Sequence, residues 1–242
     1  MWGHVRALSR DAEAGSQEEA WRHLVDVYQP ALVTFVRGIL KRTSSVSPGE
    51  AEDVVQGFLA ACLEKGWLEQ VDPNRGTFRG FIFTRLRSHA LDYVRWHSRK
   101  RRRPEGGLAM SLDPGDALEP SYDEQALDTL LRAEWAKCLV RAAIERVRGR
   151  SAASARLVEA ACIQGVADAG ELAMIAGVAT TSMREHLRRA RTRFAEALWS
   201  EMKESLLRPD DLEEERAALL PWLGPYLDPV KNPSFFGMGN AS

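Results

Sequence analysis

The sequence predicts an all-α protein made of two small helical domains joined by an acidic flexible linker, the second domain a helix-turn-helix. Three observations carry that expectation. Apolar residues recur at three- and four-residue steps through most of the chain, the period of a helix with one buried face. From Pro104 to Asp128 the composition turns acidic, with Glu105, Asp113, Asp116, Glu119 and Asp123, three prolines and no basic residue, which suits a linker at a domain boundary. From Asp168 to Trp199 a short apolar segment, a glycine and a longer arginine-rich segment follow one another, the order of a helix-turn-helix.

The chain has 242 residues, 45% of them hydrophobic, enough for one large or two small cores that fold without disulfides. A formal charge of -1 conceals the sorting of bases and acids into separate blocks. Cys62, Cys138 and Cys162 form no CxxC pair, so they are expected as buried free thiols, with neither disulfide nor zinc. Met1 to Arg10 lacks the apolar core of a signal peptide, and no run approaches the ~20 apolar residues of a membrane span. The expected compartment is the cytoplasm.

Along the chain, Trp21, Leu24, Val25, Tyr28, Leu32, Phe35, Val36 and Ile39 form one stripe between Gln17 and Leu40, where Pro30 would kink or split a helix. Thr43 to Gly49 reads as a loop. Glu50 to Glu64 is amphipathic, with Val54, Phe58, Ala61 and Cys62 inward and Gly66 as a stop. After the turn residues Val71 to Gly76, Thr77 caps a helix running from Phe78 towards Arg103. Periodicity resumes over Leu127 to Val147 and Ala152 to Gln164. Leu172, Ala173 and Ile175 then mark the short helix, Gly177 the break, and Thr180, Thr181 or Ser182 the cap of a helix ending near Trp199. Met183, Leu187, Ala190 and Phe194 form the packed side of that last helix.

Two helices carry chemistry. The one beginning at Phe78 holds Arg79, Arg85, Arg87, Arg95, Arg99 and Lys100 through Arg103, opposed by Asp92. Like charges this dense repel unless a polyanion screens them, so phosphate binding is expected. Its interleaved aromatics, Phe78, Phe81, Phe83, Tyr93 and Trp96, suit stacking on unpaired bases. Phe78, Phe81 and Tyr93 taken singly are more often core residues than nucleotide platforms, and Trp96 is the best candidate for an exposed ring. In the helix-turn-helix, the early residues of the second helix enter the major groove. Thr181, Ser182, Arg184, Glu185, Arg188, Arg189 and Arg191 are therefore the candidates for duplex contact.

These residues resemble the extracytoplasmic-function group of the bacterial sigma-70 family. Glu52-Asp53-Val54-Val55-Gln56-Gly57-Phe58-Leu59 is similar to the helix with which that group binds core RNA polymerase, implying Asp53, Gln56 and Phe58 as polymerase contacts. Thr77 to Arg87, with Leu91-Asp92-Tyr93-Val94-Arg95, resembles the segment that melts and reads the minus-ten element, although Phe81 stands where Trp is common. That implies minus-ten roles for Phe78, Arg79, Phe81, Arg85, Arg87, Arg95, Trp96, Arg99 and Lys100. Glu171 to Val178 and Thr181 to Arg191 resemble the module that recognises the minus-thirty-five element.

The implied organisation is a region 2 domain over 1–103, a linker over 104–126, a region 4 domain over 127–207 and a tail over 208–242. The tail's acids, Asp210 to Glu215, could fold back on a basic helix with Trp222, Tyr226, Phe235 and Phe236 as anchors, or the end could be a frayed one. The implied partners are core polymerase and promoter DNA, duplex and melted, with an anti-sigma factor as an optional third. His4, His23, His89, His97 and His186 have no metal-binding spacing and no nucleophile or phosphate-loop motif occurs, so neither catalysis, cofactor nor metal is expected. Two rivals stay open. A stand-alone helix-turn-helix regulator would require a palindromic site, and a sigma-mimicking interaction protein would bind polymerase without directing initiation.

Overall fold

The computed structural model describes residues 14–41, 46–67, 77–101, 124–206 and 208–227. Among them the chain is all-α, and it divides into two compact units, one up to Glu134 and one from Trp135 onward. Most of the expected linker and the residues after Leu227, Phe235 and Phe236 included, lie outside the described residues.

The first unit rests on α1 (Ala14–Leu40), α2 (Ala51–Glu64) and α3 (Phe78–Arg101). In α1 the predicted stripe is buried at Leu24, Tyr28, Leu32, Phe35, Val36 and Ile39, while Trp21 and Val25 are only half-covered. Pro30 does not split the helix. Pro30 and Asp26 both lie on the exposed face, so water can satisfy the carbonyl that a proline at i+4 leaves without a donor. The core meets at an edge-to-face contact of Phe35 and Phe83, ring centroids 5.0 Å apart, a geometry the ring quadrupoles favour.

Local signals set the ends of these helices. Ser47 and Glu50 form a capping box, Gly49 N–H donating to Ser47 Oγ at 3.2 Å and Ser47 N–H to Glu50 Oε1 at 3.1 Å. Gly66 stops α2 at φ 58°; its N–H donates to the Leu63 carbonyl at 3.3 Å and Trp67 N–H to the Cys62 carbonyl at 3.1 Å, the paired bonds of a left-handed helix end. Thr77 caps α3, accepting from Gly80 N–H at 3.2 Å.

The second unit holds most of α4 (Glu124–Arg150), then α5 (Ala152–Val158), α6 (Ala169–Ala176), α7 (Met183–Glu204) and α8 (Leu212–Leu223). Ser151 caps α5, and Glu159–Ile163 continues it as a π-turn. Its core includes Trp135, Leu139, Leu157, Met183, Phe194 and Leu198. An ion cluster joins α4 to α7: Arg146 Nε donates to Glu201 at 2.6 Å and Nη2 to Glu204 at 2.6 Å, with Glu201 only 3% exposed. The first part of the tail is not a frayed end. Residues 212–223 form α8, which buries Leu219 and Leu223 and even Glu215 and Arg216.

Cys62 and Cys138 are buried and Cys162, in the π-turn, is half-covered. All three are free thiols, and burial pushes the Cys62 thiol up to about 12, far from thiolate reactivity. Among the described residues, no helix is long and apolar enough to cross a membrane, and no group of three or more His, Cys, Asp or Glu is placed to hold a metal ion.

Candidate nucleic-acid interface

The outer face of α3 is a stripe at helical spacing: Arg85, Ser88, Asp92, Arg95, Trp96 and Arg99 are all exposed. Trp96 is 54% exposed, and its ring lies 4.7 Å from that of His97, which in turn lies 4.4 Å from Tyr93. Tyr93 donates to Glu50 Oε2 at 2.8 Å, which ties this aromatic group to the capping box before α2. Burial, and then the Glu50 carboxylate, push the Tyr93 hydroxyl up to about 12, so it stays a donor. Arg95 pairs with Asp92 at 3.1 Å.

Arg85 lies over two rings, 5.2 Å from the Trp67 centroid and 5.6 Å from that of Phe81. Cation–π contacts of this kind attract the guanidinium to the faces of the rings. The sequence reading missed Trp67. The signal was available in the Gly66 stop, since the residue after a left-handed helix end turns back onto the helix, here onto Phe58 at 6.1 Å.

Three of the expected contacts, Phe58, Phe78 and Arg79, are buried, as is the interleaved Phe83. Phe58, Phe78 and Phe83 lie in the core, because each falls on the stripe of its helix that faces its neighbours. Arg79 is only 7% exposed; it follows Phe78 in the first turn, where the helix is still covered. Arg87 and Phe81 are half-buried, Arg85, Arg95, Trp96 and Arg99 are presented, and the Lys100 side chain lies outside the described residues.

On α2 the exposed residues Asp53, Gln56, Ala60 and Leu63 form a second stripe. Arg37 of α1 donates to Glu52 at 2.6 Å, fixing the turn from which Asp53 projects.

In the second unit, Asp168 caps α6 by accepting from Glu171 N–H at 2.8 Å, and Gly177 ends it at φ 70°. Arg156 donates to the Ile175 carbonyl at 3.0 Å, holding α6 to α5. A 3-10 turn, Thr180–Ser182, leads into α7. The expected side-chain cap is absent: Ser182 Oγ donates to the Ala179 carbonyl at 2.9 Å instead, the tight turn having engaged the first amide. Thr181, Arg184, Arg188 and Arg189 are exposed, and Ser182, Glu185 and Arg191 are half-covered.

Residues 24–100, from within α1 to the last turn of α3, match the family model of sigma-70 region 2. The match covers less than half of the 242-residue chain. No curated protein and no solved structure gives a significant match to the chain. The matched segment takes in both the α2 stripe and the basic, aromatic face of α3.

Proposed function

We propose that the protein is a sigma factor of the extracytoplasmic-function kind, which joins core RNA polymerase and directs promoter recognition, melting and initiation. The observation that carries this is the region 2 match on a three-helix unit that keeps Asp53 and Gln56 exposed on one helix and Arg85, Arg95, Trp96 and Arg99 on another. In this reading the α2 stripe docks on the polymerase. The α3 face takes the minus-ten strand, with Trp96 as a stacking surface and the arginines on phosphates. The α6–turn–α7 unit is the region 4 module, with the first turns of α7 in the major groove of the minus-thirty-five element. RNA synthesis belongs to the polymerase, and α8 is a packed part of the second unit rather than a free tail.

The test is to mix the full chain with bacterial core polymerase and ask whether it elutes with the core and directs initiation at defined start sites. Failure to associate refutes the proposal. Asp53→Ala with Gln56→Ala, both at exposed positions, should weaken association without loss of helicity.

A further inference from the structure

The arginines at the start of α7 are not equally available. Arg188 donates through Nε and Nη2 to the two carboxylate oxygens of Glu185, at 2.8 and 2.7 Å, and Arg189 donates through Nε to Glu185 Oε1 at 2.7 Å. Arg193 is spent on Ser154 Oγ at 2.8 Å. Arg184 is exposed, and among the described residues no ion pair engages it. The arginine bonds hold the Glu185 carboxyl at about 2, so it is charged wherever the protein is folded and working.

An unpartnered carboxylate in the first turn of a groove-entering helix would be repelled by phosphates. Here two guanidinium groups cancel it, and the helix N-terminus favours it further. The bonding leaves a defined remainder. A carboxylate has about four acceptor sites and an arginine five N–H donors. The three bonds to Glu185 leave it roughly one acceptor site, and Arg188 keeps three donors. An acceptor beside a cluster of donors is the complement of a C·G pair in the major groove, where cytosine N4 donates and guanine N7 and O6 accept.

Resting on the reading of α7 as a duplex-reading helix, we propose that Glu185 and Arg188 form one preassembled reader of a C·G pair. The same clasp, extended to Arg189, withholds two arginines from phosphates of arbitrary sequence. Glu185 is thus a specificity-determining residue rather than a mere helix-stabilising partner.

Two measurements on the full chain test this. The first is the salt dependence of binding to random-sequence duplex. Glu185→Ala should bind more tightly at low salt and steepen the log–log slope by about 1 to 2, since each freed arginine that reaches a phosphate adds about 0.9. The second is selection of initiating promoters, randomised upstream, by the chain assembled with core polymerase. The wild type should favour cytosine at one upstream position, and Glu185→Ala should relax that preference about tenfold. Glu185→Gln should move it towards adenine, which an amide pairs bidentately. An unchanged slope, or an unchanged preference in both variants, overturns the reader. A wild type that shows no upstream preference on the polymerase while its alanine variant steepens the slope refutes the sigma reading and leaves the clasp standing. Glu185 is half-exposed, so folding is not at risk in either variant.

Discussion

The two basic helices, α3 and α7, solve different problems with the same residue type. In α3 the charge is set among rings as well as acids: Arg85 lies 5.2 Å from the Trp67 ring centroid and 5.6 Å from that of Phe81, Arg95 pairs with Asp92, and Arg99 is exposed. In α7 the charge is managed, with Arg188 and Arg189 bound to Glu185 and Arg193 to Ser154. Charge set beside rings suits a strand whose bases are unstacked and whose sequence is read loosely. Clasped charge suits a duplex whose base edges must be told apart. The helices also differ in anchorage: α3 is seated by apolar side chains, Phe78, Ile82, Phe83 and Leu86, and α7 additionally by the buried Arg146 cluster.

The largest effect should come from the apolar side. Phe58→Ala should cost about 4 kcal/mol by lost transfer energy and the cavity left behind, read as a fall in unfolding free energy in urea. Phe58→Leu should cost about 1 kcal/mol and leave core polymerase association unchanged. A well-folded leucine variant that lost association would restore Phe58 as a contact.

Next comes the anchor of α7. Arg146→Ala removes the guanidinium that faces the buried Glu201, and should lower the unfolding free energy by about 3 kcal/mol. A loss below 1 kcal/mol would show the cluster to be no more than surface pairing. Trp96→Ala should leave stability nearly unchanged, the ring being half in solvent. It should weaken binding to unpaired minus-ten strand by about 1–3 kcal/mol in a titration of the polymerase-bound chain.

The sequence made the helices legible because each has one apolar stripe and a local end signal: Thr77, Asp168, Gly66 and Gly177 act as their residue types dictate. Motif likeness fixed where Phe58, Phe78 and Arg79 fall in the chain, but not which way they face. Facing depends on which helices pack together, and a one-residue step along a helix turns a side chain by about 100°. The split of α3 aromatics into core rings and the exposed Trp96 was legible only as a preference for Trp96. Trp67 went unseen because its role depends on a ring, Phe58, nine positions back across a helix end. The clasp on Glu185 obeys the i,i+3 and i,i+4 rule and was within reach of the sequence; the burial of Glu215 and Arg216 in α8 was not, since it is set by tertiary packing.

The smallest effect separates the helices by pH. His89 of α3 lies edge-on to Phe58, ring centroids 5.9 Å apart, and its burial holds its pKa below the ordinary 6.5, with Asp92 opposing and Lys65 assisting. A histidine whose folded pKa is depressed binds fewer protons folded than unfolded, so its contribution is present above about pH 6.5 and is lost as pH falls through the folded value. Glu185 follows the same sign in a more acidic window: its contribution is present above the ordinary 4.5 and is lost as pH falls towards about 2. Urea midpoints compared across pH for the wild type, His89→Gln and Glu185→Gln should therefore diverge in two windows, the first variant as pH falls below about 6.5, the second only below about pH 4.5. Since the Glu185 pairs are exposed, that second divergence should be the weaker and should shrink with added salt. A Glu185→Gln difference that persisted in high salt would mean that the carboxylate is shielded from solvent, and that the clasp belongs to the framework of α7 rather than to its reading face.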